Sequence, residues 1–145
     1  MTRSISALAI CAALVGCATG PTFNTPEPAP ADQAQLYIYR PFAISGGALL
    51  KKVMIDGKAE TLSLPNMSWK RVLVAPGMHT VSITDPFNLT QCGGVRVNLE
   101  PGQTAYIANL IKTYVASRTI YISCVTNVIP REQALKDMAG LSGAQ

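Results

Sequence analysis

The chain is predicted to fold as an all-β domain: a seven- to eight-stranded antiparallel β-sandwich closed by a short C-terminal helix, behind a signal peptide and a flexible tether. Three observations carry this prediction. Short runs of alternating apolar and polar residues begin at residue 35 and continue to residue 125. Turn dipeptides, Asp56-Gly57, Pro76-Gly77 and Pro101-Gly102, punctuate those runs at strand-length spacing. The chain has 145 residues, 48% of them apolar and only 14% charged, which suits one buried core and not a disordered polyelectrolyte.

The first element is residues 1–16, a signal peptide. Arg3 supplies a positive start, and the stretch from residue 5 to residue 15 is apolar except for Ser6. It is too short to span a bilayer and fits a secretory apolar region. Its end, Leu14-Val15-Gly16-Cys17, resembles the lipobox of bacterial lipoproteins. That resemblance implies cleavage between Gly16 and Cys17, with the Cys17 thiol carrying a diacylglyceryl group and its new amine acylated. Two or more acyl chains make a stable anchor, whereas one binds only reversibly. Ala18, where an Asp would signal inner-membrane retention in enteric lipoproteins, implies the outer membrane, facing the periplasm.

Residues 17–34 read as the lipidated cysteine and a Pro-rich spacer holding Pro21, Pro26, Pro28 and Pro30, with Phe23 its one large apolar residue. Such a stretch offers little burial against its ordering entropy and is expected to be extended, reaching about 50 Å at full length. The β domain is then expected over residues 35–138, with 139–145 as a tail.

Within that domain, residues 35–40 alternate Leu36 and Ile38 against Tyr37 and Tyr39. Residues 52–55 lead into Asp56-Gly57, a type I′ hairpin signal because that turn needs positive φ, and residues 59–64 return. Residues 68–74 and 79–84 are expected to pair through Ala75-Pro76-Gly77-Met78, and residues 94–99 and 104–111 flank Glu100-Pro101-Gly102-Gln103 as a second, matched hairpin; Pro then Gly suits the centre of a type II turn. Residues 119–125 form the last strand, with Ile120, Ile122 and Cys124 expected on its inward face. Pro130 precedes a polar helix over 131–138 with Leu135 and Met138 as its apolar contacts, and Gly140 stops it.

In order, Leu36-Tyr37-Ile38-Tyr39-Arg40-Pro41, Ile55-Asp56-Gly57-Lys58, Ala75-Pro76-Gly77-Met78-His79 and Leu99-Glu100-Pro101-Gly102-Gln103 followed by a short closing helix resemble the DUF2846 family of bacterial lipoproteins. The resemblance covers roughly residues 33–138. It implies a sandwich fold and an envelope location, and it implies no activity.

Charge and motif content exclude several classes. A net charge of +4 with no basic run longer than two residues disfavours nucleic-acid binding. No P-loop, dinucleotide glycine fingerprint or EF-hand loop occurs, so no cofactor and no metal site are expected. Of four cysteines, Cys11 lies in the signal and Cys17 is the anchor, which leaves Cys92 and Cys124 as one possible bridge in an oxidising compartment. His79 is the sole histidine and no nucleophile elbow frames a serine, so catalysis is not expected. A binding face is expected at Tyr37 and Tyr39 with Lys70 and Arg71, whose ring faces and charges suit a protein or glycan partner in the envelope. Lys51, Lys52 and Lys58 extend that basic character toward anionic headgroups. The function expected is therefore a lipid-anchored module that binds or scaffolds another envelope component, held to the membrane by its lipid. The alternatives are a cell-wall-directed hydrolase and a purely structural lipoprotein without a ligand.

Overall fold

A computed structural model describes residues 20–85, 91–116 and 118–144. The signal peptide, Gly16 and Cys17 lie outside the described residues. Eight strands run in order: β1 (Ala34–Arg40), β2 (Lys51–Ile55), β3 (Lys58–Leu64), β4 (Ser68–Val74), β5 (Gly77–Thr84), β6 (Gln91–Leu99), β7 (Thr104–Ala116) and β8 (Thr119–Ile129). Helix α1 (Arg131–Met138) and a two-residue strand, β9 (Ser142–Gly143), complete the chain.

The strands form a sandwich of two sheets, ordered β8-β7-β1-β4-β9 and β3-β2-β5-β6. Most pairs are antiparallel, but β1 pairs with β7, and β4 with β9, in parallel. The expected wholly antiparallel pairing fails at these two places for a topological reason. The chain leaves the first sheet after β4, builds β5 and β6 in the second, and re-enters beside β1 running the same way. Hairpin reading by turn signals pairs only neighbours in sequence, so this long-range pair lay outside its reach.

The Asp56-Gly57 hairpin forms as expected, but neither Pro-Gly segment closes a hairpin: β4 and β5 lie in different sheets, as do β6 and β7, so each segment crosses from one sheet to the other, and Gly77 takes φ of 133° at the start of β5 instead of the centre of a type II turn. Asp56 and Gly57 have φ of 52° and 75°, as a type I′ turn requires. Gly102 has φ of 76°, and the Gln103 amide donates to the Glu100 carbonyl at 3.0 Å, which closes the Pro-Gly turn before β7.

β1 is the centre of the molecule, and all seven of its residues are buried. Leu36 and Ile38 face the other sheet and join Val53, Val81, Ile83 and Ile107 in the inter-sheet core. Tyr37 and Tyr39 point the opposite way, into a second core with Phe23, Tyr106, Ala134, Met138 and Leu141. That second core is roofed by α1 and by residues 20–30. Continuous burial on both faces is the mark of an interior strand, and it needs a third layer.

The third layer corrects two expectations. Residues 20–34 are not a free spacer. The Gly20 amide donates to the Gly143 carbonyl at 3.0 Å, the Phe23 amide donates to the Leu141 carbonyl at 2.8 Å, and Phe23 is only 6% exposed. The Pro-rich composition offers little burial, yet Phe23 seats in an aromatic pocket and Glu27 pairs with Arg71, and together they dock the segment. Of the expected tail 139–145, the described residues 139–144 are likewise not loose: Leu141 is buried, β9 pairs with β4, and the Ala144 amide donates to the Trp69 carbonyl.

Helix α1 follows its expected limits. Pro130 sits at its N-cap, Glu132 lies in the first turn and Lys136 in the last, which complements the helix dipole. Its buried residues are Ala134 and Met138, with Leu135 packed at the edge. Gly140 takes φ of 82° just past its end, a backbone state that a side chain would strain.

Candidate functional site

The expected face at Tyr37 and Tyr39 is not a surface. Tyr37 is 1% and Tyr39 0% exposed. Tyr37 stacks on Tyr106 at 5.6 Å and meets Phe23 edge-on at 5.8 Å. Its hydroxyl accepts from the Glu27 amide at 2.9 Å. Tyr39 donates from its hydroxyl to Asp137 Oδ2 at 2.9 Å, and burial together with that bond pushes its ionisation well above the usual phenol range. Both rings hold the third layer onto the sheet. Alternation alone assigned them outward; it could not show that the outward face is itself covered.

The two cations fare similarly. Lys70 is buried. Arg71 is half-buried and pairs with Glu27, and its Nε donates to Gln35 Oε1 at 2.7 Å. The Gln35 amide nitrogen in turn donates to the Glu27 carbonyl and to Thr104 Oγ1. Arg71 is thus the clasp of the 20–30 segment. Lys51 is also buried, while Lys52 and Lys58 are exposed on the other sheet, so the basic residues form no common face.

Cys92 and Cys124 are bridged, with Cα atoms 4.4 Å apart. The bridge joins β6 of one sheet to β8 of the other at the margin of the inter-sheet core. Thr126 reinforces the junction by donating to the Cys92 carbonyl at 3.0 Å.

His79 forms a turn clamp. Its Nδ1 lies 2.8 Å from Asp56 Oδ2 and its Nε2 lies 2.7 Å from the Ala75 carbonyl. Both partners are acceptors, so both ring nitrogens must carry protons, which is the imidazolium. Burial opposes that charge, but the bonds from Asp56 and Ala75 outweigh it and raise the His79 pKa. Asp56 also accepts from the Thr80 amide at 2.8 Å, and this bond, followed by the one to His79, lowers its pKa. With no free nitrogen, His79 is not placed as a general base. The clamp ties the β2–β3 turn to the β4–β5 turn. Of two surface recesses, one of about 560 Å³ is lined by Ala75 and Pro76 beside the clamp and one of about 460 Å³ lies between residues 26–29 and Arg131; neither is lined by His79. Among the described residues no group of three potential ligands could hold a metal ion.

Arg40 is an internal brace that sequence patterning did not single out. It is fully buried at the end of β1 and donates to the Leu49 and Gly46 carbonyls, each at 2.6 Å. It pins residues 41–50 across the end of the sandwich. Burial lowers its pKa without supplying a catalytic partner.

Among the described residues, one surface of unusual chemistry is the far end of β7 and β8. Their pairing continues through Tyr114↔Tyr121, Val115↔Ile120 and Ala116↔Thr119. β1 pairs with β7 only as far as Ala108; Asn109 is still buried, Leu110 packs on the second core and Ile111 pairs with the bridged Cys124, so β7 overhangs the sandwich from Lys112 to Ala116. Directly opposed residues of an antiparallel pair share a face. One face of the overhang therefore carries Val115, Ile120 and Ile122; the other carries Tyr114 and Tyr121, stacked at 5.1 Å. These five side chains are between 43% and 70% exposed. Ile120 and Ile122 were expected inward beside Cys124. Cys124 does sit at the core, but the strand runs on past it. The signal was present in the sequence: apolar residues occupy both faces of the 113–122 region, which one-sided burial does not require.

The chain matches no family model and no curated protein.

Proposed function

We infer that this chain is a lipid-anchored envelope protein of the outer membrane, acylated at Cys17, whose β-sandwich is a non-catalytic binding or scaffolding module on the periplasmic side. Membership in the DUF2846 family is part of that reading. The observation that carries it is the Leu14-Val15-Gly16-Cys17 sequence behind Arg3 and a short apolar run. Two structural features support it. A disulfide suits an oxidising compartment, and Cys92–Cys124 is one. The described packing extends back to Gly20, three residues after Cys17, so a lipid there would hold the sandwich close to the membrane and not on a long leash. Three residues span about 10 Å at most.

The test is mass spectrometry of the membrane fraction. The mature N-terminus should be an acylated Cys17, and Cys17→Ser should accumulate as uncleaved, unacylated precursor. An unmodified Cys17 in the membrane-associated protein, or normal processing of Cys17→Ser, refutes the anchor.

A further inference from the structure

We propose that the overhanging end of β7 and β8 is a second membrane contact, a hairpin tip that seats in the lipid headgroup and upper acyl region beside the anchor. This rests on the lipid-anchor reading above and adds a protein element that touches the bilayer.

Geometry comes first. β7 runs five residues, Lys112 to Ala116, past the last packed pair, Ile111↔Cys124, which places the tip about 17 Å beyond that pair at the usual rise per strand residue. Through β1 and β4, the register puts Trp69 and its partner Gly143 at the level of Ala108, and Gly20 bonds to Gly143. Gly20 thus lies at the end of the sandwich from which the tip projects. A lipid within about 10 Å of Gly20 keeps the bilayer at high effective concentration for any apolar feature of the domain.

Chemistry selects lipid as the occupant. The tip presents Val115, Ile120 and Ile122 on one face and the Tyr114–Tyr121 pair on the other. Apolar side chains flanked by tyrosines suit the boundary between headgroups and acyl chains, where an amphipathic ring keeps its hydroxyl wet. From residue 104 to residue 130 the chain has no Asp or Glu; its charges are Lys112 and Arg118. Arg118, with φ of 64°, is in the turn at the very tip. Cations without carboxylates favour anionic headgroups. The tip's backbone is hydrogen-bonded within the hairpin, so shallow seating leaves few polar groups unpaired.

The experiment places an environment-sensitive NBD fluorophore at Ile120→Cys in the acylated protein, reconstituted in vesicles of phosphatidylethanolamine and phosphatidylglycerol. Lys58→Cys, exposed in the β2–β3 turn at the opposite end of the sandwich, is the control. The label at 120 should shift to the blue and be quenched by headgroup-depth nitroxide lipids, while the label at 58 stays water-like. A water-like, unquenched label at 120 overturns the proposal. Mass spectrometry of the same sample reads the acyl state of Cys17, so failure of the anchor is seen separately.

A second arm uses residues 18–145, which contain every packed element described, added to the same vesicles without acylation. Ile120→Asp should lower partitioning about tenfold, and replacing phosphatidylglycerol by phosphatidylcholine should weaken it further. Because Ile120 is 66% exposed, the variant should keep the parent's melting temperature. Partitioning that is indifferent to Ile120→Asp overturns the proposal, as does a lipid-free dimer in sedimentation that the same substitution abolishes, since the tip would then be a self-association surface.

Discussion

Phe23→Ala is the sharpest probe of the third layer. Composition assigns residue 23 to a free spacer; the fold makes it the plug of a second core. Its ring meets Trp69 edge-on at 5.4 Å and Tyr37 edge-on at 5.8 Å, and it is 6% exposed. Phe→Ala in a rigid core costs about 3–5 kcal/mol, and the cost falls toward the low end where neighbours can close in. Residues 20–23 are held by bonds to one short edge strand, β9, so they can partly relax. We therefore expect about 3 kcal/mol, with the edge-to-face contacts contained in that figure. For a domain of this size that is roughly a 10 °C fall in melting temperature. The assay is thermal unfolding of residues 18–145 by circular dichroism, with and without the substitution. A companion protein beginning at residue 32 also loses the Glu27–Arg71 pair and the Gly20 and Pro21 bonds to Gly143, so it should melt lower still. Melting temperatures within about 2 °C of the parent for both would refute the third layer, since a buried plug of this size cannot be removed at so small a cost.

Cys92→Ser should destabilise by about 3.7 kcal/mol, the chain-entropy figure for a loop of about 33 residues, with denaturant unfolding as the readout; reduction of the parent should mimic it. His79→Gln should lower stability most between about pH 4 and 6.5. A raised His79 pKa gives stability that is present below the unfolded value and lost as pH rises through the folded one. The lowered Asp56 pKa gives stability that is lost as pH falls through its folded value. A parent–variant gap in melting temperature that widens above pH 8 would contradict the clamp. Arg40→Leu should free residues 41–50 from the sandwich end, because the Leu49 and Gly46 carbonyls lose their donor; limited proteolysis should then cut there well before the sheets unfold, and equal protection would argue against the brace.

Local chemistry made much of this protein legible. Three chain reversals were visible because their backbone state demands particular residues: Asp56-Gly57 for two positive φ values, Gly102 after Pro101 for one, and Gly140 to end α1; that the two Pro-Gly segments join different sheets was not, because a turn signal does not say which sheet the next strand enters. The bridge was visible because only Cys92 and Cys124 remained once Cys11 and Cys17 were assigned to the signal and its end. The resemblance of residues 14–17 to a lipobox is likewise a matter of sequence alone.

Tertiary structure decided what each face meets. Period-2 alternation divides β1 into two sides but carries no information on whether one or both are covered. Tyr37 and Tyr39 became core because a helix and an N-terminal segment, neither adjacent to them in sequence, lie over them. Ile120 and Ile122 became surface for the converse reason: their strand is longer than the sheet it must pack on. Alternation along a single strand therefore determined that these residues are strand and which neighbours share their side. Burial is a property of the partner layer, and distant segments of the chain set it only once they had assembled.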